Sequence, residues 1–579
     1  MQKQRGHMLH HFAKALTLST AAFLALASLG CSQAGTPAPG GPPPAASNES
    51  GPVTPKVNRV TLALGPPSTE ANAPNQLSGT ITWQIRPMYE YLTGVNLAGK
   101  ELQPMLATEW KLQPDGQSFR FQLRKGVKFQ FDKGEFTAKD VAYTLKDLSL
   151  DGALPTTATR WNGLVKSIDP VGDYEVVVNL KQPDQAFLWT LGQQEGGFEI
   201  RSEADSKAKP PTFQERPIAG TGPYYLSERE QGRYIRYARV GFDHWRQKPE
   251  FPEFEFRFMK ENSTILAALL AKEVQMAALP FDLIDQAEKA GFKSIRGRAP
   301  VGVQTFVSLL GPWVNKAVNP GERLNPDPNA KYVFPDSPLV DVRVRKALSK
   351  AINRDELNKA FFKGYGAPIV NLFFHPSRPG WNPDWERRFQ DEYGYDPEGA
   401  KRLLAEAGYG PNTPLKHTAI LGNSGYFAEG MDLFEAITSY WRKVGVDVKL
   451  EQMDANTRTT RGRELSLDNY SNLNATSIRQ FYGFGVYGGG SSLGSRGGNE
   501  IWEAVDYFNN KMRPLTDASK FETAWRELGD LAFNLHTAPI PLFWLPAIAV
   551  VDPNIVADYP FSGSLTGAYA DVEYIKAAR

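Results

Sequence analysis

Few residues in this 579-residue chain are spaced to do chemistry. There is one cysteine, Cys31, so neither an internal disulfide framework nor a cysteine-rich metal site can form. His7, His10 and His11 lie in the first thirty residues. The remaining histidines, His244, His375, His417 and His536, are scattered and lack metal-ligand spacing. No His-Glu-x-x-His pair occurs. The glycine-rich stretch Gly483–Gly498 lacks the Gly-Lys-Ser/Thr that would cradle a phosphate, so it is no P-loop. Paired carboxylates are a catalytic arrangement left open, because 63 acidic residues are available and their pairing is invisible in sequence. Against them stand 65 lysines and arginines, a balance that argues against a nucleic-acid binder held by a basic face.

Cys31 has a different explanation. Lys3, Arg5 and Lys14 are the only charges in residues 1–30, and Ala15–Leu29 is an apolar run of fifteen residues. That is short of the ~20 residues a bilayer span requires. A basic start and a short apolar run read as a secretory signal. It ends in Ser28-Leu29-Gly30-Cys31, which resembles a bacterial lipoprotein signal, in which the cysteine becomes the acylated first residue. The match is imperfect, since the usual leucine three positions before the cysteine is Ser28 here. Removing this segment leaves 62 basic and 63 acidic residues. Residues 32–56 follow, eleven of 25 being proline or glycine, and read as a tether spanning on the order of 25–30 Å.

The body must position whatever binds or reacts, and it alternates helix and strand. Phe119, Phe121 and Leu123 alternate with polar residues through Ser118–Arg124, predicting a half-buried strand, and Tyr174–Leu180 predicts another. Thr137 to Asp140 reads as a capping box for a helix bearing Val141, Leu145 and Leu148. Asp341 and Asn353 are placed to cap two further helices, and Asp396-Pro397 opens a helix that Gly408 closes. Leu433, Ile437, Tyr440, Trp441 and Val444 form a helical stripe stopped at Gly445, after which Val446, Val448 and Leu450 alternate. Helix, glycine, strand is an α/β unit.

These same segments carry a resemblance. Leu106–Trp110, Pro114-Asp115-Gly116, Leu123–Phe129 and Phe136–Val141 make one block, and Gly220-Thr221-Gly222-Pro223-Tyr224 a second. Val342–Arg354 is a third, and Tyr395-Asp396-Pro397 through Leu403–Tyr409 with Val444–Val448 a fourth. In this order the chain resembles the family 5 extracellular solute-binding proteins, the oligopeptide-, dipeptide- and nickel-binding components of ABC importers. The motifs themselves read as caps, strand ends and core faces, and Arg343 and Arg345 as anchors of a helix.

The resemblance implies an α/β fold, a two-lobed periplasmic-binding-protein clamshell of type II with an extra domain inserted in the first lobe. Residues 57–99, 211–305 and 546–579 would form lobe 1, 100–210 the extra domain and 306–545 lobe 2. A small-molecule or peptide ligand would be enclosed by hinge closure and passed to ABC permease subunits. The implied protein is a monomer without cofactor, metal or catalytic residues. It is exported and lipid-anchored through Cys31 to the bacterial cell membrane, facing periplasm or exterior. Candidate ligand contacts are Tyr89, Trp161, Asn423, Tyr426, Arg479, Phe481, Tyr482 and Tyr487, aromatic and polar residues of the kind that line pockets. At each position, packing in a core or on the surface is the alternative. Peptide binders of the family often carry an aspartate in the last of these segments, where it pairs with the ligand's amino group. Here no acidic residue lies between Asp468 and Glu500, which puts recognition of a free α-amino group in doubt. Arg479 suits a carboxylate or phosphate if it faces inward. Gly483–Gly498 reads as either a cleft-rim loop or an irregular surface loop. An exported sensor on the same fold, or an exported hydrolase, are the competing readings.

Overall fold

The computed structural model describes residues 54–579 except 68–69, 73, 78, 96–100, 149–160, 186, 193–197, 209–216, 298–301, 316–326, 328, 377, 423–428, 478–499, 538 and 562–568. Cys31 and the tether therefore lie outside the described residues.

Three sheets organise the chain. The first has seven strands in the order Lys293–Arg296, Ile548–Val551, Met276–Ala277, Arg59–Leu64, Glu253–Phe258, Tyr234–Arg239 and Tyr224–Glu230. The second has six, Ala367–Pro368, Pro539–Pro546, Gly302–Leu310, Tyr470–Ser477, Lys416–Leu421 and Asp447–Gln452. The third is an antiparallel set of four, Ala107–Leu112, Ser118–Leu123, Glu175–Leu180 and Val165–Pro170.

The alternation read in sequence explains the small sheet. Phe119, Phe121 and Leu123 point to one face and pack with Val141, Leu145 and Leu148 of the helix Ala138–Leu148. Asp140 reaches back to accept from the Thr137 backbone N–H at 2.8 Å, so the expected cap forms.

Helices cover one face of the second sheet for equally local reasons. The Asp341 carboxylate accepts from Arg343 N at the start of Val342–Lys350, and Asn353 accepts from Glu356 N at the start of Arg354–Phe362. Asp396 accepts from Gly399 N, and Pro397–Glu406 ends before Gly408, whose φ of +93° closes the helix. These helices and Gly430–Lys443 bury their apolar stripes against Val307, Leu309, Ala419, Leu421 and Leu473. Arg345 is the anchor expected of it. Fully buried, its guanidinium donates to the carbonyls of Leu339, Val340, Leu535 and His536, and burial lowers its pKa to about 10. On the other face Phe306 and Trp544 meet Ile369 and Leu372. Beside them Asp384–Tyr393 and Ala518–Asn534 close over an aromatic cluster that includes Trp385, Trp525 and Phe533.

Candidate ligand cleft

The two large sheets are joined by two neighbouring crossings. In the first sheet Arg59–Leu64 runs parallel to Glu253–Phe258 and Met276–Ala277. Lys293–Arg296 shares their direction, because it and Met276–Ala277 both pair antiparallel with Ile548–Val551. The chain leaves that sheet at Arg296, a carboxyl end. It enters the second sheet at Gly302, which pairs with Pro546 beside the carboxyl end of Tyr470–Ser477. The return is a single residue, Ala547, between Pro546 and Ile548. Its carbonyl accepts from Gly297 N at 2.8 Å, tying the two crossings together. A β-carbon on Gly302 would collide with the Leu545 carbonyl, so the close approach requires glycine.

This connectivity turns the carboxyl edges of both sheets toward one another. Ligands of open α/β sheets bind in the crevice outside such edges. Contacts between the two sides bracket the crevice. Near the crossings, Phe281 lies 5.6 Å from Phe362 and 5.5 Å from Tyr365, Asp285 pairs with Lys363 at 3.1 Å, and the Arg296 guanidinium sits 4.4 Å over Tyr365. On another front the small sheet's domain meets the helices of the second sheet. Gln185 donates to the Thr516 carbonyl, and Trp189 packs against the Trp385–Trp525 cluster.

The expected ligand contacts divide into two groups. Tyr89 is 2% exposed, packs in the core of the first sheet and donates its hydroxyl to the Ile218 carbonyl at 2.7 Å. Trp161 is 1% exposed, donates to Thr190 Oγ1 at 3.2 Å and meets Phe198 edge-on at 4.9 Å. Both are interior residues with their polar atoms engaged, and neither presents a free face. Their neighbourhoods could not be told apart from a cleft in sequence, because an aromatic ring serves either. Asn423, Tyr426, Arg479, Phe481, Tyr482 and Tyr487 lie outside the described residues. The strands that precede them end at Leu421 and Ser477, on the carboxyl edge.

Sequence reasoning passed over a second group at that edge. Gln304 stands two residues past Gly302, opposite Trp544. Its Oε1 accepts from Phe373 N at 3.1 Å, and its buried Nε2 has no hydrogen-bond partner among the described residues. His375 meets Trp544 edge-on at 5.4 Å, and both rings are partly exposed. Burial and nearby Arg378 lower the His375 pKa to about 4, so the ring is neutral at physiological pH. Burial lowers that of Arg378 to about 9. A neutral imidazole, an indole and an amide can offer stacking and hydrogen bonds without fixed charge. Nothing in the spacing of Phe373-Phe374-His375-Pro376 announces this, because the register across strands creates it. Among the described residues no group of His, Cys, Asp and Glu is arranged to hold a metal ion.

Comparison with known proteins adds lineage to this geometry. The sequence model of the bacterial extracellular solute-binding proteins, family 5 Middle, matches residues 101–484. The chain belongs to that family. A dipeptide-binding protein of Escherichia coli K12 is 28% identical over 384 residues, covering 63% of this chain and 66% of that one. Heme-binding protein A of Haemophilus influenzae is 27% identical over 303 residues, covering 49% and 51%. The chain thus spans about half to two thirds of the length of the curated relatives it matches. The periplasmic binding protein DppA of Helicobacter pylori, solved with the peptide STSA, superposes with a TM-score of 0.68. It is 20% identical, and the match covers 90% of this chain and 98% of that one. The fold is accordingly that of the type II periplasmic binding proteins.

Proposed function

We propose that this family 5 member is the substrate-binding component of an ABC importer, which encloses a small solute between two lobes and presents it to membrane permease subunits. The observation that carries the reading is the pair of carboxyl edges facing one another across two adjacent crossings, in a chain of this family. In this reading the first sheet is lobe 1, the small sheet its inserted domain and the second sheet lobe 2. The hinge lies where Gly297 and Ala547 hold the two crossings together. Ligand contacts come from the segments that leave the carboxyl edges, including Asn423, Tyr426, Arg479, Phe481, Tyr482 and Tyr487, together with His375 and Trp544.

The protein is read as a binder rather than an enzyme, and as exported and anchored through an acylated Cys31. The ligand class is set by side chains. Relatives that bind a dipeptide and heme show how far cargo ranges on related sequences. The uncharged His375–Trp544 pair and the acid-free stretch from 469 to 499 favour a neutral or acidic solute over one presenting a free ammonium group.

Native mass spectrometry of the protein purified without added ligand tests this. A single discrete extra mass is expected. A ladder spaced by amino-acid residues would make it a peptide receptor and require another partner for the amino group. A bound compound that is chemically converted on incubation would contradict the binder and favour a hydrolase. For the anchor, Cys31→Ser is expected to move the protein from the membrane to the soluble fraction; unchanged membrane retention would refute acylation.

A further inference from the structure

The end of the first sheet that points away from the cleft carries a hollow with no part in solute binding. The cross-strand pairs Arg59–Glu253 and Glu253–Ala238 mark that end, and Leu64 and Phe258 mark the carboxyl edge. At roughly 3.3 Å per residue the two ends stand about 17 Å apart. Residues of the stretch Arg239–Pro249 enclose a hollow of about 160 Å³. A cavity of about 150 Å³ admits benzene, so this one has room for a group the size of a phosphate.

His244 fixes the shape of the loop. Its Nδ1 accepts from Arg246 N at 3.3 Å and from Gln247 N at 3.2 Å, so the ring proton is on Nε2, which donates to the Thr221 carbonyl at 2.7 Å. Arg246 in turn donates to Glu90 at 2.7 Å and pairs with Glu573 at 3.1 Å. The walls are set before any ligand arrives.

The lining is cationic. Arg239 donates from Nη1 to the Pro249 carbonyl at 2.7 Å, and its Nε and Nη2 make no hydrogen bond among the described residues. Lys248 lines the hollow, is exposed and has no ion-pair partner among the described residues. Lys128 reaches over from the small domain, its Nζ 5.9 Å from the centre of the Phe242 ring, another lining residue. Against these three cations stands one lining carboxylate, Asp243, which is exposed and can turn to water. A guanidinium edge carrying two unused N–H groups grips two oxygens of one anion side by side, and a phosphate supplies both the oxygens and the charge.

We propose that this hollow is a phosphate-binding site, with Arg239 as its bidentate anchor and Lys248 and Lys128 as charge partners. A lipid headgroup and a free phosphate share this chemistry, and the position of the hollow favours the headgroup. Arg239 N donates to the Pro252 carbonyl at 2.8 Å, and the adjacent Glu253 N donates to the Asn58 carbonyl at 3.1 Å, so the hollow lies at the end of the sheet where the chain enters from the tether. In a chain anchored at Cys31, that end meets lipid headgroups first. Seated there, the body waits with its cleft turned outward toward solute. The seat rests on the anchored reading above, whereas the phosphate site does not.

Two measurements test this. First, the full chain in a nonionic detergent is titrated by calorimetry with inorganic phosphate, glycerol 3-phosphate and acetate. Both phosphates should bind, and acetate more weakly. Arg239→Ala should weaken phosphate binding roughly tenfold or more. Lys248→Ala, at an exposed side chain, should weaken it about two- to fivefold without disturbing the loop. No binding, acetate binding as tight as phosphate, or affinity unchanged in both variants would overturn the site. Second, the anchored protein is reconstituted in phosphatidylglycerol–phosphatidylcholine vesicles with a dye on Ala557→Cys, exposed at the tether end of the sheet, or on exposed Met431→Cys. Energy transfer to headgroup-labelled lipid should be stronger from 557 than from 431, and Arg239→Ala should abolish the difference. A difference that survives Arg239→Ala, or equal transfer from both positions, would overturn the membrane seat and make the ligand a free phosphate. Protein that does not stay with the vesicles would refute the anchored reading and the seat, and leave the phosphate site to the first measurement.

Discussion

At the residue scale, the chain spends its unusual side chains on holding structure. His375, His417 and His536 all have pKa values lowered to about 4, chiefly by burial. His417 sits between Asn469 Oδ1 at 2.9 Å and Ser471 Oγ at 2.8 Å, and His536 stacks on Tyr393 at 4.0 Å. A histidine whose folded pKa is depressed stabilises the fold fully above its unfolded value near 6.5. That contribution is lost as the pH falls toward the folded value. The unfolding free energy from urea titration is therefore expected to drop between pH 6.5 and 4, by roughly 2–3 kcal/mol per histidine, and the urea midpoint with it. A midpoint constant over that range would contradict the buried, neutral assignments. Arg345→Met strands four carbonyls that a guanidinium now satisfies, and should cost at least about 3 kcal/mol in chemical denaturation.

At the element scale, what was legible in sequence was whatever chemistry acts over a few residues. The caps at Thr137, Asp341, Asn353 and Asp396 formed where the spacing put them, and the Phe119-Phe121-Leu123 alternation became a strand with that face buried. Asp396→Ala is expected to lower stability by about 1 kcal/mol, read from the thermal midpoint, with no effect on solute binding. The candidate site was less legible. Tyr89 and Trp161 have the composition of cleft aromatics but pack inside, since an aromatic's exposure depends on what lies across from it. Gln304, Trp544 and His375 gather only because Gly302–Leu310 pairs with Pro539–Pro546 in one register and the 369–376 segment lies across that face. Pairings between residues 240 positions apart leave no trace in local spacing. Gly302→Ala tests the crossing directly: the added methyl meets the Leu545 carbonyl, and destabilisation with weakened closure is expected.

At the scale of the whole molecule, two large sheets are joined by two neighbouring crossings, and the proposed hinge lies there. Each sheet has its own core. In the proposed clamshell a solute held between the sheets bonds to both only in the closed state, so binding and compaction are expected as one event. Binding at 100 times the dissociation constant should also stabilise the fold by about 2.7 kcal/mol.

The central claim is that closure follows solute. The most direct measurement is X-ray scattering on protein stripped of bound solute by unfolding and refolding, then exposed to a low-molecular-weight filtrate of yeast extract. The radius of gyration should fall on addition of the filtrate and recover on dialysis. A radius unchanged by the filtrate, in protein shown by circular dichroism to have refolded, would contradict the account.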